Sequence, residues 1–209
     1  MLFEDRTDAG RQLVAALKSY HAQRPLILAI PRGGVPLGKI VADALGGDLD
    51  VVLVRKLGAP HNPEFAIGSI GESGQIYVSD FAERAGADAA YLSAEAERQM
   101  QTIRRRRQQY DEVHTAVPIA GRMVIVVDDG LATGATMAIA LREIRAHHPG
   151  RLICAVPVAS PDAMAHIRPL CDDLVCLSVE ADFAGVGQFY RDFRQVEDDE
   201  VVTMLKGRA

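Results

Sequence analysis

The sequence predicts an α/β protein: a central, mainly parallel twisted sheet flanked by helices. Two observations carry this. Short apolar runs rich in β-branched residues, suited to strands covered on both faces, alternate with segments whose apolar residues recur at helical spacing. One such run, residues 124–127, passes through a loop of small residues straight into a helix. Strands joined by helices imply parallel neighbours with right-handed crossovers, and a ligand site at their carboxyl ends. The 209 residues, 48% hydrophobic, fit one well-buried domain spanning 1–209, and no repeat, low-complexity tract or linker divides them.

Each element has its own warrant. Residues 8–20 read as an amphipathic helix, with Leu13, Val14 and Leu17 on one face and an acid at its start. Residues 26–30 form a buried strand ending in Pro31-Arg32-Gly33-Gly34. Val35 and Pro36 then open a helix that turns Ile40, Val41 and Leu45 inward and stops at Gly46-Gly47. Residues 51–54 predict a second buried strand, ending in Arg55-Lys56-Leu57-Gly58 and a proline-bounded loop through Pro63. Residues 66–70 and 75–78, either side of Gly71-Glu72-Ser73-Gly74, predict an antiparallel hairpin projecting from the sheet. Ser93 is the expected cap of a long helix reaching about Tyr110, striped by Leu92, Ala96, Met100 and Ile103. Residues 152–158 make another buried strand, Ser160-Pro161 opens a helix through Leu170, and residues 174–178 supply the last parallel strand. The tail carries Phe183, Phe189, Tyr190 and Phe193, then an acidic helix start at Asp198 and Asp199.

Residues 124–136 read Val-Ile-Val-Val-Asp-Asp-Gly-Leu-Ala-Thr-Gly-Ala-Thr. A buried strand delivers two carboxylates, then Gly130 and Gly134 let the backbone bring N–H groups close to a ligand. Thr133 and Thr136 stand at the start of a helix to about Ala146, where unsatisfied amides and the dipole favour a phosphate. Asp128 and Asp129 would repel that phosphate, so they are expected to face solvent and meet ribose hydroxyls or a divalent cation. The pattern suits a phosphorylated sugar. It is neither a Walker A loop, since no Gly-Lys-Ser/Thr follows, nor a dinucleotide fingerprint, whose glycines follow the strand without an acid pair. Arg32 beside two glycines offers a guanidinium and amides to an anion, or is an ordinary turn. Lys56 is a second candidate cation for the same anion, or a solvated lysine. His61, in a loop between prolines, reads as surface.

This stretch resembles the signature of type I phosphoribosyltransferases. The resemblance implies that Asp128 and Asp129 hold the 2′ and 3′ hydroxyls of 5-phosphoribosyl-1-pyrophosphate (PRPP), and that Gly130, Leu131, Ala132, Thr133, Gly134, Ala135 and Thr136 wrap its 5′-phosphate. It puts pyrophosphate on Arg32, Gly33 and Gly34, assisted by Lys56, and gives Arg32, Lys56 and Asp129 the catalytic roles. Mg²⁺ is the implied cofactor, held by Asp128 and Asp129 largely through substrate oxygens and water. It also implies a projecting hairpin or lid and a small C-terminal hood. Pro31-Arg32-Gly33-Gly34-Val35-Pro36, Arg55-Lys56-Leu57-Gly58-Ala59-Pro60, Asn62-Pro63-Glu64 and Val186-Gly187-Gln188-Phe189-Tyr190 are similar to a bacterial subgroup of phosphoribosyltransferases whose substrates are unsettled. Ala132 stands where hypoxanthine-guanine enzymes carry an aspartate, which argues against that specificity.

The implied activity is transfer of a phosphoribosyl group from PRPP to a nucleobase or other nitrogen acceptor with release of pyrophosphate, a step of nucleotide metabolism. The alternative is a PRPP-binding sensor without turnover. Arg104, Arg105, Arg106 and Arg107 either reach the diphosphate or form a solvated face paired with Glu95 and Glu97. Phe189 and Tyr190 either cover the base or seal the sheet edge. A net charge of -5 argues against nucleic acid. No segment has a signal peptide's apolar core or the length to span a membrane, so a cytoplasmic protein is expected. Cys154, Cys171 and Cys176 lack Cys-x-x-Cys spacing and read as reduced core residues. No Gly-x-Ser-x-Gly elbow supports an acyl hydrolase. A homodimer accords with the resemblance.

Overall fold

The computed structural model describes residues 2–206, and within them every side chain except that of Glu64. The part of the Asn62-Pro63-Glu64 motif that rests on that carboxylate therefore lies outside the described residues. Among the described residues, β1 (Leu26–Ala29), β2 (Asp48–Val51), β6 (Met123–Val127), β7 (Arg151–Ala159) and β8 (Asp173–Val179) form one parallel sheet in the order β2-β1-β6-β7-β8. This is the predicted fold class.

Burial on two faces explains the apolar runs. Along β6, Ile125 and Val127 turn to one face and Val124 and Val126 to the other, as strand alternation requires. The first face packs against α1 (Arg6–Leu17) and α2 (Gly34–Leu45) through Leu13, Leu17 and Val41. The second packs against α4 (Ala135–Ala146) and α5 (Pro161–Ile167) through Met137, Leu141 and Ile167. From β1 the chain moves outward to β2, whereas β6 lies on β1's other side, so the switch point falls between β1 and β6. Ala29 and Val127 pair across it. The loops that leave these two strands therefore emerge side by side, where open α/β sheets take their ligands.

A second, antiparallel sheet carries β3 (Val54–Ala59), β4 (Asn62–Gly71) and β5 (Ile76–Val78). It contains the predicted hairpin as β4 and β5, and packs against both α3 (Ala89–Asp111) and α4. The C-terminal hood follows β8 and ends in α6 (Asp198–Lys206), whose Val201 and Leu205 are buried.

Four boundaries differ from the expected ones. The second parallel strand is β2, not residues 51–54: Asp48 and Asp50 break the apolar run that marks a strand. Both are satisfied, Asp50 by the amides of Val51 and Val117 at 2.7 and 2.9 Å and Asp48 by Arg122 at 2.7 Å. Residues 54–59 are strand β3 rather than a strand end and loop; the chain leaves β2 at Val51, opposite Ala29, on the same sheet edge as the other two loops. Pairing with β4, irregular at Gly58, supplies the hydrogen bonds that a Gly- and Pro-bounded sequence concealed. Helix α3 starts at Ala89, capped by Asp88 accepting from the Tyr91 amide at 2.7 Å, which leaves Ser93 inside it. Helix α1 begins at Arg6, capped by Asp5, and tightens into a 3-10 turn at Lys18–Gln23.

Candidate active site

Helix caps single out the two loops at the switch point. Helices α1, α3 and α5 are closed by the side chains of Asp5, Asp88 and Ser160. Helices α2 and α4 instead begin at Gly33 and Gly134, with no side-chain cap. At α4 this leaves donors open: the amides of Ala132, Thr133, Gly134 and Thr136 bond to no protein group among the described residues. Gly134 has φ +74°, a conformation that side chains disfavour and that bends the loop back over the helix start. Leu131 lies within the loop but offers no open backbone donor. Its amide donates to Val158 O at 2.9 Å and its carbonyl accepts from Ser160 N at 3.0 Å, so its polar backbone is engaged at the end of β7.

The acid pair is half-buried, less open than the expectation from sequence. The Asp129 side chain is 13% exposed, and its Oδ2 accepts from Arg6 Nε at 2.9 Å and Nη2 at 2.8 Å. A Cβ on Gly33 would lie 2.0 Å from the same oxygen, so the bare α-carbon is what lets the carboxylate reach this position. Asp128 Oδ1 accepts from the Asp129 amide at 2.9 Å. Burial, then the adjacent Asp129 charge, pushes the Asp128 carboxyl well above the usual carboxylate range. Burial raises Asp129 too, and the Arg6 guanidinium opposes that rise.

The two acids face different cavities. Asp128 lines one of about 180 Å³ with Gly130, Leu131, Ala132, Thr133, Gly134, Ala135, Thr136 and Val186. Asp129 lines one of about 380 Å³ with Arg6, Arg32, Gly33 and Phe193. A third, about 510 Å³, adjoins the loop at Ala132 and Thr133 and is walled by Ser160, Asp162, His166 and Phe183. The larger cavities, about 700 and 600 Å³, lie elsewhere, against Glu72, Ser73 and Arg107. Four of their polar groups bond one another, Arg107 with Glu72 and Ser73 with Glu143. Chemistry rather than size distinguishes the switch point.

The remaining expected site residues are placed unevenly. Arg32 lines the Asp129 cavity, and its Nη1 meets Glu197 Oε2 at 2.9 Å; the Pro31–Arg32 peptide is cis. Lys56 sits in the middle of β3 rather than at the end of a parallel strand, opposite Ser69 of β4. Strand alternation sends it to the face away from Arg55. It is Arg55 that feels the other cations: burial, then Arg106 and Arg32, lowers its pKa. The arginine run divides. Arg104 pairs with Glu97 at 3.8 Å on the solvated side, Arg107 turns inward to Glu72 at 2.6 Å, and Arg106 reaches Asp198 at 3.5 Å. Glu95 is buried and bonds Arg98 and Gln99 instead.

The aromatic residues seal. Phe189 and Tyr190 are buried against Phe3, and the Tyr190 hydroxyl donates to Asp129 O at 2.7 Å. Phe183, stacked on Phe189 at 4.9 Å, is the aromatic that lines a cavity. His61 is exposed and the three cysteines are free. Sequence reasoning missed Arg6, Tyr190's bond to the acid pair, Arg55 and Glu197. Arg6 and Asp129 are 123 positions apart, and no local pattern joins them. Arg55 was legible in principle, since it neighbours Lys56 and only strand parity separates them.

The comparisons decide the family. A profile described as "Phosphoribosyl transferase domain" matches residues 6–194. The chain belongs to this phosphoribosyltransferase family. "Putative phosphoribosyl transferase Rv0571c" of Mycobacterium tuberculosis strain H37Rv is 42% identical over 205 residues, 98% of this chain and 46% of that protein. The chain thus spans about half the length of the curated relatives it matches. The crystal structure of TT1426 from Thermus thermophilus is 46% identical, covers 99% of this chain and 98% of its own, and superposes with a TM-score of 0.83. A Neisseria gonorrhoeae hypothetical protein crystallised with bound ppGpp has the same fold at 15% identity and a TM-score of 0.54, covering 98% and 94% of the two chains. Among the described residues, no helix of this phosphoribosyltransferase domain is long and apolar enough to cross a membrane.

Proposed function

We propose that the chain transfers the 5-phosphoribosyl group of PRPP to a nitrogen acceptor and releases pyrophosphate. One observation carries the reading: the acid pair divides two cavities, one floored by the open amides of α4 and the other walled by Arg32. A phosphate ester suits the first, since amides and the dipole favour an anion there. A diphosphate suits the second, and the ribose between them would offer its diol to Asp129. Substrate binding is thus assigned to Arg32, Gly33, Gly34, Asp128, Asp129 and the loop from Gly130 to Thr136, with Leu131 acting through its shape. Lys56 remains a proposed cation for the diphosphate, and Arg55, whose pKa the Arg32 charge helps to lower, is proposed as a second. The cavity beside Phe183, with Ser160, Asp162 and His166, is the proposed seat of a planar acceptor.

Displacement at the anomeric carbon passes through an oxocarbenium-like state, as in glycoside chemistry. Arg32 would stabilise the departing diphosphate, and the Asp129 carboxylate the developing positive charge on the sugar. Phosphate held on the α4 amides fixes the orientation of the ring. Among the described residues no three His, Cys, Asp or Glu side chains cluster as a metal cage. Two hard carboxylate donors do suit Mg²⁺, which keeps waters and substrate oxygens as its other ligands. Bound there through Asp128 and Asp129, Mg²⁺ would neutralise diphosphate charge. The proposed setting is the cytoplasm. The test incubates the protein with PRPP, Mg²⁺ and a panel of nucleobases and amines and measures pyrophosphate release. Release with one acceptor supports transfer; tight PRPP binding with no release under any acceptor supports a sensor.

A further inference from the structure

We infer that Arg6 is a positioning residue that leaves a single oxygen of Asp129 for the sugar. The inference rests on the ribose-binding reading of the acid pair. Arg6 lies at the first turn of α1, 123 positions from Asp129, and its side chain is 11% exposed. Each end of its guanidinium is used. Nε and Nη2 both donate to Asp129 Oδ2, at 2.9 and 2.8 Å, and Nη1 donates to Arg194 O at 2.7 Å. The plane covers the Phe193 ring at 3.9 Å. A side chain so engaged is not a spare anion ligand, although it lines the same cavity as Arg32.

The polar atoms of Asp129 can be counted. Its amide donates to Asp128 Oδ1, its carbonyl accepts from Tyr190, and its Oδ2 accepts twice from Arg6. Oδ1 receives nothing from Arg6; the further contacts of the Asp129 carboxylate are with the adjacent Asp128 side chain and its own amide. Two donors on one oxygen fix the carboxylate's rotation, and the close approach of Gly33 prevents its retreat. The guanidinium also cancels a charge that would otherwise oppose an incoming diphosphate a few ångströms away. Arg6 therefore turns a half-buried carboxylate into an oriented acceptor for a neutral hydroxyl without engaging Arg32.

The opposite reading makes Arg6 a blocker that a ligand must displace, and calorimetry distinguishes the two. Ribose 5-phosphate, PRPP and inorganic pyrophosphate, each with Mg²⁺, are titrated into the full chain and into Arg6→Lys and Arg6→Gln. Arg6→Lys keeps the charge and loses the paired donors. It should weaken both sugar ligands by about fivefold to tenfold while pyrophosphate stays within about twofold. Arg6→Gln should weaken the sugars further, and the lysine variant's partial recovery is the rescue that orientation predicts. Unchanged or tighter ribose 5-phosphate binding in either variant overturns the inference, as does an equal loss for all three ligands. If Arg6→Gln does not fold, Arg6→Lys decides alone. Wild-type protein that binds none of the three removes the transferase reading and this inference with it; wild-type protein that binds them, with variants that do not discriminate, removes the inference only.

Discussion

Arg32, in the loop after β1, and Glu197, one residue before α6, meet at 2.9 Å and tie the anion-facing loop to the C-terminal hood. The neighbouring Asp198 accepts from Tyr110 at 3.2 Å and pairs with Arg106. A carboxylate thus stands beside the cation to which a diphosphate is assigned. Glu197's side chain is 61% exposed, so swinging it away costs little.

Replacing Glu197 with Gln should therefore tighten pyrophosphate and PRPP binding by about twofold to fivefold, with stability within about 0.5 kcal/mol of wild type. Isothermal titration and a urea melt measure both. Weaker binding would show that Glu197 supports the loop rather than competing for it.

Gly33→Ala should be costly on two counts, because its methyl would sit 2.0 Å from Asp129 Oδ2. Displacing that carboxylate strains a packed site by about 1–3 kcal/mol. Affinity for PRPP should fall more than about tenfold, since about 1.4 kcal/mol of misplacement is enough. An alanine variant with wild-type affinity would mean that Asp129 does not contact the sugar.

The double change Asp128→Asn, Asp129→Asn should abolish measurable PRPP affinity. The structure adds a stability cost that solvent-facing carboxylates would not incur. It removes the charge that Arg6 pairs with, and a mostly buried charged hydrogen bond is worth about 1–3 kcal/mol. Circular dichroism during urea denaturation reads this directly, and an unmoved midpoint would contradict the Arg6 pairing.

Alkaline stability should carry a mark of Tyr110. Burial, then the Asp198 charge, pushes its phenol up to about 12, against ~10 in an unfolded chain. A group whose folded pKa is raised contributes stability that is complete below the unfolded value. That contribution is lost as pH climbs through the folded one, so the window runs from about pH 10 to about 12. Roughly 1–3 kcal/mol should disappear across it, and Tyr110→Phe should flatten this part of the curve. An identical pH dependence in the phenylalanine variant would place the ionisation elsewhere.

The elements built on local pattern were open to the sequence. Buried runs such as residues 124–127, the Ser160-Pro161 helix start and the Gly46 stop follow from burial and capping that act over a few residues, and each stands in the structure. The small-residue loop after Asp129 was legible for the same reason: glycine at φ +74° and an uncapped helix start are properties of consecutive residues. Only the tertiary structure decided the rest. Strand β2 hides behind two aspartates whose partners, Arg122 and Val117, are remote in sequence. Whether Arg55 or Lys56 feels Arg32 depends on which face of β3 meets the core. Arg6, Gly33, Asp129 and Tyr190 form one cluster because α1, two strand ends and the hood converge at a switch point. A carboxylate's exposure and orientation are set by whatever packs around it, and the chain alone does not say which distant segments those are.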